Sequence, residues 1–279
     1  MLHVEPAPRY RMTAAPLVQA VAQVTFPIVP AWQSLEGIEG LRRAVLDLLP
    51  YLNQQVVQEV TLTVGPAGPA APSAQSSTLW VFTDDAGWTL QVSVGSATLT
   101  VDGEHYRGVA DFRQRLERVW TALRDHGQVR RCDRLGVRYL DLVELVDDDW
   151  ARWFRSEVVG LAAPSLSGAS LGSTLTETRL QVDSAEVLGD ADIQIHGVIR
   201  HGVIPAGSTL QGVPPRTIAR QSFLFDMDVS VAAAERFDPV HLAQHFGSLH
   251  AELEKVFHFI ITEDGRTHFG YELVDETGE

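Results

Sequence analysis

The chain has 279 residues, 45% of them hydrophobic, and a formal net charge of −14. That apolar content is enough to build a core and excludes a globally disordered chain. The negative balance argues against general, charge-driven affinity for nucleic acid or anionic membrane, and suits solubility or a basic partner. Cys132 is the only cysteine, which excludes an internal disulfide and a cysteine-based metal framework. The polar start, Met1–Tyr10, lacks the apolar stretch of a signal peptide, and no apolar run reaches the roughly 18 residues of a membrane span. A cytoplasmic, soluble protein is the expectation.

The first strand is expected over Leu17–Ile28, with Val18, Ala20, Ala22, Val24 and Phe26 on one face and Gln19, Gln23 and Thr25 on the other. Ser34 is placed to cap a helix near Ser34–Leu52, where Leu35, Ile38, Leu41, Val45 and Leu48 recur at helical spacing. Val56–Val64 reads as a strand, and Gly65–Ser77, rich in Gly, Pro, Ala and Ser, as a loop. Thr78–Thr83 and Trp88–Val94 read as a hairpin closed by Asp84–Gly87, and Ala97–Val101 as the next strand. A helix follows over Val109–His126, with Gly127 as its stop.

The order then restarts. A strand at Leu135–Val146 leads to a helix at Asp149–Val159, whose start is made negative by Asp147, Asp148 and Asp149. Gly160–Gly172 is a loop of small residues, followed by strands at Ser173–Val182, Ala191–Ile204 and Ala219–Val229, with a Gly/Pro loop at Pro205–Pro215. Asp238 and Pro239 open the last helix, whose stripe is Leu242, Phe246, Leu249, Leu253, Val256 and Ile260. The fold class is therefore α+β, as two tandem β-α-(3–4β)-α units with antiparallel sheets, residues 1–132 and 133–279, joined in one globular body. This is the element order of the helix-grip and TATA-binding-protein-like folds, and it suggests a pseudo-duplicated chain.

Motif chemistry is sparse. The chain lacks a P-loop, a dinucleotide-binding glycine fingerprint and a G-x-S-x-G elbow, so no catalytic residue and no cofactor is assigned. His241 and His245, four apart on the last helix, share a face, but Leu242 stands where a zincin needs Glu; their plainer role is the solvent edge of the apolar stripe, and no metal site is assigned. His196 and His201 fall on opposite faces of a strand, and Asp226 and Asp228 share one. Cys132 follows Arg130 and Arg131, which favour a thiolate, yet a lone cysteine at a helix–strand junction needs no function.

Nine arginines fall between Arg107 and Arg138, against 22 basic residues in the whole chain, so this run holds a concentrated positive charge. Arg113, Arg118, Arg130, Arg131, Arg134 and Arg138 are the binding candidates, set against the plainer account of a solvated helix face. Trp80, Trp88, Phe82, Tyr139, Phe223 and Phe225 are candidates for an apolar pocket between sheet and helix, or for ordinary core.

The segment Arg134-Leu-Gly-Val-Arg-Tyr-Leu140, with Pro16–Val21, Gly87–Ser93 and Phe257–Thr262, resembles a sporadically distributed bacterial family of uncharacterised proteins of about this length. The resemblance spans nearly the whole chain and implies a bacterial accessory protein. That family has no established activity, so it supplies no functional residues. A non-enzymatic binding or accessory protein with a protein partner is the leading reading. A small-molecule binder is the alternative, nucleic-acid binding through Arg107–Arg138 comes third, and an oligomer is compatible with each.

Overall fold

The computed structural model describes residues 10–61, 64–65, 68–69, 73–144, 150–160, 172–190, 193–210 and 215–274. The tail before Tyr10, Asp147–Asp149, nearly all of the Gly160–Gly172 loop and parts of the Gly65–Ser77 and Pro205–Pro215 loops lie outside them. The fold is α+β. Beside three short two-stranded ribbons, its main strands are β1 (Leu17–Thr25), β2 (Tyr51–Thr61), β3 (Ser73–Thr83), β4 (Trp88–Val92), β5 (Ser96–Asp102), β6 (Arg131–Glu144), β7 (Thr176–Val182), β8 (Gln194–Ile204) and β9 (Ser222–Arg236). They form one nine-stranded sheet in the order β7-β8-β9-β6-β1-β5-β4-β3-β2. All the pairings are antiparallel. β1 and β6 pair at the centre, so the expected boundary at residues 132–133 falls inside a strand of a continuous sheet.

Alternation explains the layering. Ala20, Ala22, Val24 and Phe26 are fully or almost fully buried, as the strand reading expects, whereas Val18 is not, because the β1–β6 register slips between Leu17 and Gln19. On β6, Leu135, Val137 and Tyr139 point to the same side, and on β9 so do Phe223, Phe225, Met227 and Val229. Helices α1 (Leu35–Val45), α2 (Val109–Asp125) and α6 (Pro239–Ile260) cover this side, with α6 against β6 and β9 and α2 between α1 and α6. The side chains they bury, from Ile38 and Leu41 to Phe246 and Leu253, form one core with the sheet.

The helix ends follow local chemistry. The Ser34 hydroxyl accepts from the Gly37 amide, and the Asp238 carboxylate accepts from Val240 and His241, with Pro239 at the first turn. α1 stops at Val45 rather than running to Leu52; Pro50 disfavours helix in the residue before it, and β2 begins directly after. The helix expected over Asp149–Val159 is two single turns, α3 (Trp150–Trp153) and α4 (Ser156–Val159). They are split where Phe154 bridges to Ile261 and the Arg155 amide donates to the Ile260 carbonyl. Two short helices were not legible in the periodicity: α5 (Ser184–Leu188), capped by Asp183, and α7 (Glu263–His268), capped by Thr262. Among the described residues, no helix is long and apolar enough to cross a membrane.

Candidate functional site

Among the described residues the long helices cover one side of the sheet, and the sequence makes the other side polar. Register places Gln19, Val21, Gln23 and Thr25 of β1 beside Ser96, Thr98, Thr100 and Asp102 of β5, and beside Arg134, Arg138 and Leu140 of β6. Asp226 and Asp228 of β9 and Arg200 of β8 continue the same face. Arg138 grips Asp226 with two hydrogen bonds, Nε at 2.6 Å and Nη2 at 2.9 Å. Arg200 reaches the same carboxylate at 3.3 Å and Glu177 of β7 at 2.8 Å. Arg134 donates to Gln23 at 3.1 Å and lies 3.6 Å from Asp228, and Gln23 donates to Thr98 at 3.0 Å. Gly136 makes room for this: a Cβ there would stand 2.7 Å from the Arg134 guanidinium.

The arginine run therefore does not gather into one patch. Arg134 and Arg138 lie on the open face, whereas Arg113 pairs with Glu117 at 3.3 Å and Arg118 with Asp47 at 2.6 Å on the helix side. At the α2–β6 junction, Arg130 donates to the Arg124 carbonyl and Arg131 pairs with Asp133 at 2.7 Å. Most of this charge is matched locally, which removes the premise of a phosphate-binding surface.

The six aromatics named as pocket candidates all lie on the helix side, with exposures of 1% for Trp80, 0% for Phe82, 2% for Trp88, 6% for Tyr139, 0% for Phe223 and 2% for Phe225. Trp80 donates to the Trp32 carbonyl at 2.6 Å, Trp88 packs on Phe112, and Phe223 stacks on Phe154. They fill the core. A cleft does exist, on the opposite face. The segment around Leu210 and Arg216–Thr217 roofs the sheet beside Gln19, Leu140 and Asp102, enclosing about 360 Å³. Burial raises the Asp102 carboxyl above its ordinary value, against the opposing pull of His105 and Arg216.

Under α6 runs a buried polar chain. The Tyr106 and Tyr139 hydroxyls are 3.2 Å apart, Tyr139 is 2.9 Å from His250 Nδ1, and His250 Nε2 is 3.3 Å from Glu254. Burial holds the Tyr139 phenol well above its usual range and Tyr106 up to about 12, so both stay protonated; the chain orders α6 on the sheet and offers no nucleophile. Burial likewise pushes the Cys132 thiol up to about 12, which ends the case for a reactive thiolate.

Two features were not foreseen in the sequence. The first is the sheet edge. β2 and β3 pair over their full length, but β4 meets β3 only at Trp80–Thr83, so the β2–β3 ribbon runs on beyond β4. Among the described residues nothing pairs with the outer edge of β2, where Tyr51 is 52%, Val56 66% and Val57 42% exposed. The second is a cluster at the start of α6. His241 and His245 meet Glu235 of β9, and one donor atom of each lies within 4.8 Å of the others. His196 and His201, by contrast, stand on opposite faces of β8 as their spacing requires.

No family model, no curated protein and no solved structure matches this chain. The functional reading rests on the geometry alone.

Proposed function

We propose that this protein is a non-enzymatic binding scaffold that captures a protein partner by strand addition along the outer edge of β2. The observation that carries the reading is the nature of that edge. Natural sheets blunt exposed edges with charges, proline, bulges or short strands. β2 is 11 residues long, its sequence Tyr51-Leu-Asn-Gln-Gln-Val-Val-Gln-Glu-Val-Thr61 holds one charge and no proline, and its register with β3 has no bulge. Its free amides and carbonyls are a template for an extended segment, with the exposed Val56 and Val57 side chains gripping alternate residues. The net charge of −14 favours a neutral or basic segment.

The order of the strands supports a second element of this reading. β1 pairs with β6, and each is flanked on its outer side by the last strand of a meander, β5 or β9. We read the chain as two related units, 1–132 and 133–279, in a saddle of the TATA-binding-protein kind, acting in the cytoplasm as an accessory protein of the bacterial family it resembles. The test is Val56→Lys. Val56 is too exposed for the change to cost more than about 0.5 kcal/mol of stability. Recovery of a stoichiometric partner from the native host should fall at least ~10-fold, because an edge lysine opposes strand addition. Undiminished recovery would rule out this edge as the docking site.

One observation favours a second reading, a small-molecule site. The cleft of about 360 Å³ beside Asp102 and Arg216 lies at the lower end of ligand-pocket volumes. It suits a small polar molecule, and native mass spectrometry of freshly purified protein, with Arg216→Ala for comparison, would detect a retained ligand or its absence.

A further inference from the structure

We propose that Glu235, His241 and His245 form a binding site for a divalent transition metal, with zinc as the natural occupant. Glu235 is the penultimate residue of β9, where its pairing with β6 resumes after the irregularity that follows Ala232. α6 starts at Pro239, and its first turns present His241 and His245, four residues apart, to the same place. His241 Nε2 lies 3.1 Å from one Glu235 oxygen and His245 Nδ1 lies 3.5 Å from the other. Two ligands bound to zinc at about 2.0–2.1 Å in a tetrahedron stand about 3.3 Å apart; the two histidine–carboxylate distances, each to a different oxygen of Glu235, bracket that value, and one donor atom of each of the three residues lies within 4.8 Å of the others.

A second observation points the same way. His245 is 6% exposed. Its Nδ1 and the facing Glu235 Oε1 are both buried with no hydrogen-bond partner. Two such buried polar atoms left without a partner lose their hydration with nothing to offset the loss. An ion between them would satisfy both at once. Asp190 adds negative charge near His245. Two imidazoles and one carboxylate match the donor set of zinc sites that keep a fourth position for water. The metal would tie the end of β9 to the start of α6, and would leave one coordination position facing solvent on the exposed His241 side.

The test uses untagged full-length protein, freed of metal by chelator dialysis, and titrated with zinc chloride by calorimetry. Cobalt(II) absorption then reads the coordination geometry. One zinc per folded chain is expected, with a cobalt spectrum of the tetrahedral type and a rise in Tm at excess zinc. His241→Ala removes an exposed ligand without opening the core, and should weaken zinc binding by at least ~10-fold. Glu235→Gln should do the same, while His196→Ala, on the exposed face of β8, should leave binding unchanged. If the folded wild type takes up no stoichiometric zinc, or if His241→Ala binds it as tightly as wild type, the site does not exist. Circular dichroism of each variant separates loss of metal from loss of fold.

Discussion

Replacing Asp141 with Asn should make the protein more stable at alkaline pH while leaving it nearly unchanged in acid. Asp141 is 5% exposed and sits between Phe225 and Leu17 in the register of the central strands. Burial, and then the neighbouring charge of Asp226, raise its pKa from 3.8 to about 7. The folded chain therefore keeps a proton there to about pH 7 that the unfolded chain releases near pH 4. Because the folded state binds more protons in that window, stability falls as pH rises from about 4 to about 7 and is level above it. A rise of about three in pKa corresponds to about 4 kcal/mol as an upper bound, and water entry or relaxation on ionisation brings the expected penalty to about 2–4 kcal/mol. Asn mimics the protonated acid and carries no such penalty. Urea unfolding of both proteins near pH 4 and near pH 8 measures it. The gap between variant and wild type should open by about 2–4 kcal/mol across that range. Parallel pH profiles would show that Asp141 ionises without hindrance and that its burial is misjudged.

The open face and the buried chain make further predictions. Asp226→Asn removes the negative charge that Arg138 and Arg200 share and turns one of its two acceptor oxygens into a donor; breaking a buried pair costs about 3–5 kcal/mol, and the partial exposure of both arginines reduces this to about 2 kcal/mol, read by chemical denaturation. The same variant should shift the Asp141-dependent loss of stability to lower pH, since it removes the repelling charge. Tyr139→Phe leaves His250 Nδ1 and the Tyr106 hydroxyl without their shared partner, and should cost about 1–3 kcal/mol; a neutral effect would mean that water replaces the phenol.

Much of the fold was legible where a single element decides its own form. The alternation of Ala20, Ala22 and Val24, the apolar stripe of α6 and the caps at Ser34 and Asp238 each depend on nearby residues, and the structure has them all. What joins elements was not legible. Nothing local in Leu17–Thr25 or Arg131–Glu144 says that these strands pair and merge two sheets into one. Ser73–Ser77 read as loop because Ser, Ala and Gln carry no strand signal, yet β2 supplies the backbone partners that make it a strand. Phe154 interrupts a helical pattern only because Ile261, distant in sequence, pairs with it.

The site residues divide in the same way. The alternation that put Asp226 and Asp228 on one face was sound, but the partners Arg138 and Arg200 come from two other strands. His241 and His245 were recognised as a pair, whereas Glu235 was not, because only the return of α6 onto the end of β9 brings it within reach. Asp141 shares its parity on β6 with Tyr139, and that alternation is the local signal that it faces the helices.

The account's central claim is that the outer edge of β2 is where a partner binds. A photo-crosslinking amino acid placed at Val57, with the same residue at the exposed Leu46 on the helix side as a control, tests it in the native host. The claim predicts one defined protein adduct from position 57, absent from position 46 and lost when Val56→Lys is added. No adduct from position 57, or the same adducts from both positions, would contradict it.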